Sequence, residues 1–91
     1  MTPNPTDPTA RELRILGRAL RELRQQAGLT QKELGARAGV RDTYISEVES
    51  GRRSVRWITV TRFLRVLNTD LHQLVAELVE VEKQESRPKA R

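Results

Sequence analysis

Apolar residues recur three and four positions apart in five separate runs of this chain, and the segments between them are polar or carry glycine or proline. That spacing marks helices with one buried face, and no segment reads as a strand. The first run, Leu13, Leu16, Leu20, Leu23 and Ala27, predicts a helix opening at a capping box over Thr9-Ala10-Arg11-Glu12 and closing at Gly28. Ile15 lies off that stripe and is expected at the surface. A second capping box, Thr30-Gln31-Lys32-Glu33, begins a short helix that ends near Ala38, and a third helix runs from about Asp42 to Ser50. The fourth spans about Trp57 to Leu67, with Trp57, Val60, Phe63, Leu64 and Leu67 facing inward. Asn68 suits the left-handed residue that closes it, and Asp70 caps a fifth helix with Leu71, Leu74, Val75 and Leu78 inward. The fold expected is all-α, a compact five-helix domain over residues 9–83. Residues 1–8, with three prolines and almost nothing apolar, are expected to be a disordered arm, and residues 84–91 a disordered basic tail.

The second and third helices carry the most specific geometry. Leu34 and Ala38 share one face of the second, Ile45 and Val48 share one face of the third, and nearly everything between is polar. Gly35 leaves room for a close crossing, and Gly39 supplies the φ > 0 residue that a sharp helix-to-helix turn requires. This is the layout of a helix-turn-helix, whose second helix offers its polar side to DNA. The free N–H groups at the start of the second helix suit a phosphate, with Gln31 adding a side-chain donor.

Charge distribution fits such a partner. The chain carries a net +5, yet residues 10–67 hold 13 Arg or Lys against 6 Asp or Glu, whereas residues 68–91 hold 4 against 5. Positive charge is thus concentrated on the segment containing the turn, as a polyanionic partner would favour. With no cysteine, a disulfide scaffold and a thiolate zinc site are excluded, and a reducing, cytoplasmic setting is favoured. No apolar run approaches the roughly 20 residues that span a bilayer, and the N-terminus has no basic-then-apolar signal pattern.

With these residues in hand, the chain closely resembles the xenobiotic-response-element, or Cro/C1-repressor-like, helix-turn-helix family. The likeness runs from about Leu16 to Leu74 and is carried by Arg24, Gly28-Leu29-Thr30-Gln31, Glu33-Leu34, Ala38-Gly39-Val40, Tyr44-Ile45-Ser46, Val48-Glu49 and Gly51, closing with Leu67 and Leu71. It implies a lambda-repressor-like DNA-binding domain that works as a dimer on a two-fold operator. Within the family, the run from Arg41 to Arg53 is similar to the small controller proteins of restriction-modification systems, and related stretches occur in phage repressors and antitoxins. One departure stands out. Small hydroxyl residues usually cap the third and fourth helices in this family, but Arg41 and Arg56 occupy those places here.

The resemblance implies that bases are read by the first outward positions of the third helix, Arg41, Asp42, Thr43 and Glu47. Arg41 suits a bidentate pair with guanine, Thr43 a thymine methyl, and the acids the N4 donor of cytosine. The bland reading of Asp42 and Glu47 is that they are solvated residues that repel wrong sequences. Phosphate contacts are expected from Gln31, Tyr44, Ser46, Arg52, Arg53 and Arg56, which set register without reading sequence, with packing of Tyr44 against the second helix as the alternative for that residue. Arg24 and Glu49 look like the family's paired charges, tying the first helix to the end of the third.

Surplus apolar positions on the last two helices, Ile58, Val66, Val75, Val79 and Val81, exceed what one small domain can bury, and a homodimer seam through the fifth helix would cover them. An enzyme reading has little support. His72 is the sole histidine, and no nucleophile-base set, metal-ligand cluster or phosphate loop is visible, so no metal or cofactor is expected. The competing reading is a protein-interaction module, since the same fold serves in antitoxins that bind a toxin and in coactivators that read no bases. The expected protein is a cytoplasmic, nucleoid-associated regulator of bacterial or phage origin that binds double-stranded DNA.

Overall fold

The computed structural model describes residues 8–86, which form α1 (Pro8–Gln26), α2 (Gln31–Ala38), α3 (Asp42–Glu49), α4 (Trp57–Val66) and α5 (Leu71–Ser86). α1 is the spine: α3 packs on one side of it and α5 on another, while α2 bridges α3 and α4. Phe63, Leu34 and Ile45 are the largest side chains fully removed from water, and Leu20, Leu23, Val48, Val60 and Leu74 close around them.

The punctuation residues act as their chemistry requires. The Thr30 hydroxyl accepts from the Glu33 amide at 3.0 Å while the Thr30 amide donates to the Glu33 carboxylate at 2.8 Å, completing the capping box of α2. Gly39 turns the chain at φ 77°, with its N–H on the Gly35 carbonyl. Asn68 adopts φ 55° after α4, and the Asp70 carboxylate accepts from the Gln73 amide at 3.0 Å to start α5. Arg41 and Arg56 occupy the positions before α3 and α4 and make no side-chain cap bond.

Several expectations are corrected. α1 begins at Pro8, so Thr9 sits inside its first turn; proline suits that first position because its missing N–H would have no helical partner. Ile15 is buried rather than exposed, because α1 is flanked by both α3 and α5 and hides a wider arc than one stripe. Ala27 is exposed, since the helix stops at Gln26. Trp57 is 61% exposed instead of in the core. A helical side chain leans toward the N-terminus, and at the first position of α4 that direction points beyond the packed interior. Leu71, first residue of α5, is exposed for the same reason. Val81 belongs to the core rather than to a seam: it lies seven residues, two turns, after Leu74 and shares its buried face against α1. Val66 is half-buried against the same core. Finally, α5 continues through Ser86, past the expected end of the domain at 83, while residues 1–7 and 87–91 of the expected arm and tail lie outside the described residues.

Candidate nucleic-acid interface

Two close approaches fix the turn geometry. At Gly35 a Cβ would stand 2.6 Å from the Val40 carbonyl oxygen, so only glycine lets the chain entering α3 pass over α2. At Gly17 a Cβ would collide with the Val48 carbonyl oxygen and stand 2.7 Å from that of Glu49, which places the end of α3 directly on the α1 backbone. Gly17 escaped the sequence reading because a mid-helix glycine carries no periodic signal.

A buried charge network then clamps α3. Arg24 Nε donates to Glu49 Oε2 at 2.7 Å and Arg24 Nη2 to Glu49 Oε1 at 3.0 Å, a two-pronged pair with side chains 9% and 4% exposed. Arg24 Nη1 donates to the Leu29 carbonyl at 2.8 Å, and Gln31 Nε2 donates to Glu49 Oε1 at 3.0 Å. Every buried side-chain polar atom among the described residues is partnered, as desolvated charge requires. Gln31 therefore braces Glu49 in this structure, with one amide N–H left over.

Beyond that clamp, the polar face of α3 is presented to water. Arg41, Asp42 and Thr43 are exposed at its start, and their side chains hold no partner among the described residues. Ser46 is half-buried further along. Tyr44 and Glu47 meet the loop that follows α3. Arg53 Nε donates to Glu47 Oε1 at 2.8 Å, and the Arg53 guanidinium carbon lies 5.3 Å from the Tyr44 ring centre. The Glu47 carbonyl accepts from the Arg52 amide at 2.9 Å and from the Ser50 hydroxyl at 3.1 Å, and Arg52 Nε donates back to Ser50 Oγ at 3.0 Å. The basic loop is thus folded onto the last turn of α3. Gly51, at φ 76°, presses it against Arg14, where a Cβ would stand 2.9 Å from the arginine's Cα. Arg56 is exposed and without a partner among the described residues.

The basicity of α1 is partly spent inside the fold. Arg18 contacts Glu85 at 3.1 Å and Gln84 at 2.9 Å, Arg14 lies 3.6 Å from Glu85, and Arg11 lies 3.9 Å from Glu82. These arginines neutralise α5, so the charge left for a polyanion sits on and after the turn. Ile58, Val75 and Val79 are exposed, as are Trp57 and Leu71; for Val75 this corrects its placement on the inward stripe of the fifth helix, where only Leu74 is fully buried and Leu78 partly so. No group of His, Asp or Glu among the described residues could hold a metal, and no helix is long and apolar enough to cross a membrane.

A helix-turn-helix domain model matches residues 15–78, from near the middle of α1 to the middle of α5. The chain belongs to the helix-turn-helix family. A relative in Sinorhizobium fredii (strain NBRC 101917 / NGR234), the uncharacterized HTH-type transcriptional regulator y4dJ, is 36% identical over 62 residues, covering 68% of this chain and 80% of the relative. Among solved structures, the restriction-modification controller protein C.AhdI from Aeromonas hydrophila matches with a TM-score of 0.67 and 31% identity over 70% of this chain and 97% of its own. The clp gene regulator ClgR from C. glutamicum matches with a TM-score of 0.71 and 26% identity, covering 89% and 95%. The resemblance to Cro/C1-type regulators therefore holds, and this helix-turn-helix protein is a DNA-binding transcriptional regulator rather than an enzyme.

Proposed function

We propose that this helix-turn-helix protein reads a two-fold DNA operator as a homodimer, with α3 of each copy in a major groove. The observation that carries the reading is the exposed, unpartnered start of α3, Arg41-Asp42-Thr43, held rigidly on α1 by the buried Arg24–Glu49 clamp. Rigid presentation matters because base readout needs fork-like side chains placed within a fraction of an ångström. Arg41 pairs with guanine, Thr43 packs on a thymine methyl, and Asp42 accepts from cytosine or rejects wrong bases. The missing hydroxyl caps at Arg41 and Arg56 cost each helix start about 1 kcal/mol; the exchange is a cation where a phosphate can be met. Tyr44, Ser46, Arg52, Arg53 and Arg56, with the spare amide N–H of Gln31 and the backbone at the start of α2, hold phosphates.

The partner surface is a second copy of the chain. Leu71, Val75 and Val79 follow one another at four-residue spacing along α5 and remain about half exposed, and Ile58 on α4 is 62% exposed. A stripe of this kind on a small domain favours protein contact, and the two-fold symmetry of a dimer would match that of an operator. A toxin-like partner would cover the same stripe, and sedimentation of the purified protein separates the two: a homodimer at micromolar concentration supports the present reading, and a strict monomer contradicts it. Binding to duplex DNA across a salt series tests the interface. Neutralising about six phosphates gives a log-log slope near −5, whereas salt-independent binding would contradict the assignment.

A further inference from the structure

The carboxylate of Glu47 faces the side of α3 proposed to meet DNA, where an isolated negative charge would be repelled by phosphates. It is not isolated. Its Oε1 accepts from Arg53 Nε at 2.8 Å, and the same residue's carbonyl receives the Arg52 amide and the Ser50 hydroxyl. Glu47 therefore docks the loop twice, by main chain and by side chain. Tyr44, one turn earlier, lies under the Arg53 guanidinium at 5.3 Å. An arginine carries five N–H groups in a planar fork, and the Glu47 contact uses only the Nε edge. The four N–H groups on the terminal nitrogens have no partner among the described residues, although Arg53 is held on its edge and on its face.

We propose that Glu47 is a positioning residue and that Arg53 is a specificity-determining residue: Glu47 and Tyr44 hold Arg53 so that its terminal fork reads a guanine at the flank of the α3 face. The inference rests on the DNA-reading function above and changes two of its assignments. Glu47 acts through Arg53 instead of accepting from cytosine, and Arg53 adds a base reader supplied by the loop instead of a simple phosphate contact. The arrangement has an electrostatic consequence. Glu47 and Arg53 together carry no net charge, so the pair supplies directional hydrogen bonds and little charge-driven, sequence-blind attraction.

The test is a double-variant cycle on the full chain, measuring affinity for the operator selected from a random pool and for an unrelated duplex across a salt series. Both side chains are about half exposed, so the variants keep the fold, which a thermal melt verifies. Glu47→Gln is expected to lower the specific-to-unrelated affinity ratio about tenfold and to steepen the salt slope on unrelated DNA by about two units per homodimer, about one for each Arg53 unmasked. Arg53→Lys keeps the charge but not the planar fork, and is expected to lose the same specificity. Glu47→Gln added to Arg53→Lys is expected to lower the ratio no further, because Glu47 acts only through the fork. Additive losses, or an unchanged salt slope in Glu47→Gln, overturn the positioning role while leaving DNA reading intact. Failure of the unaltered protein to bind any duplex overturns the DNA reading itself and this inference with it.

Discussion

Removing the Glu49 carboxylate is the most informative single change to the framework. Glu49 accepts from Arg24 at 2.7 and 3.0 Å and from Gln31 at 3.0 Å, inside a region where both ionic side chains are less than a tenth exposed. In Glu49→Ala the Arg24 guanidinium keeps only the Leu29 carbonyl and stays buried with its charge unpaired. Breaking a buried pair from one side costs about 3–5 kcal/mol, mostly through the stranded ion. A domain of this size has a total stability of about 5–15 kcal/mol, and each kcal/mol moves its melting point by about 4–8 °C. The expected fall is therefore about 12–40 °C by circular dichroism. Arg21→Ala is the reference, because Arg21 is exposed and unpartnered among the described residues, and it should change stability by less than about 0.5 kcal/mol. The stranded-ion explanation also predicts that Arg24→Ala combined with Glu49→Ala is less destabilised than the two single losses summed. If Glu49→Ala melts within a few degrees of Arg21→Ala, the clamp does not hold α3 and the reasoning fails.

Other perturbations probe separate parts of the molecule. Gly17→Ala places a methyl group against the Val48 and Glu49 carbonyls; overpacking of this kind costs about 1–3 kcal/mol and should lower the urea midpoint while weakening DNA binding. Phe63→Ala, at 1% exposure, should lose about 3–5 kcal/mol, whereas Trp57→Ala, at 61%, should lose little; equal losses in chemical denaturation would contradict the placement of Trp57. Val79→Glu on the exposed α5 stripe should leave the melting point of the isolated chain nearly unchanged and shift sedimentation toward monomer, and an unchanged dimer would contradict the seam. The Glu33 carboxyl is held below its usual value, chiefly by the Thr30 backbone amide, then by the Thr30 hydroxyl, with Arg37 adding to both. A lowered folded-state value means that its stabilisation is present above the ordinary carboxylate range and disappears as pH falls through the folded value. Glu33→Gln should flatten that acidic part of the stability curve, and an unchanged curve would contradict the role of the capping box.

The helices and their order were legible because each local signal agreed with the global fold: capping boxes, a left-handed glycine or asparagine, and periodic leucines pointed to one arrangement. The Arg24–Glu49 pair was legible through the family resemblance, not through spacing. Trp57, Ile15 and Val81 show where pattern reading stops. Periodicity tells which residues share a face, but not how wide a buried arc the neighbouring helices cover, nor that a first-turn side chain points past the core. Val81 looked surplus until α5 was seen to run the length of α1, carrying Glu82 and Glu85 to the arginines of that helix. That pairing also explains why the arginine count of α1 overstated the charge available to DNA. The contact between Glu47 and Arg53 was invisible for a related reason. It depends on the loop after α3 folding back, which is set by Gly51 at positive φ against Arg14 and not by any repeat in the chain.

The central claim is that the exposed start of α3 reads DNA as part of a two-fold pair. Selection of duplexes from a random pool by the purified protein tests it most directly, with Arg41→Ala and Thr43→Ala run in parallel. A symmetric site with two half-sites about one helical turn apart is expected, with relaxed preference at one mirrored position for each variant. Enrichment of no sequence, or an unaltered consensus in both variants, would contradict it.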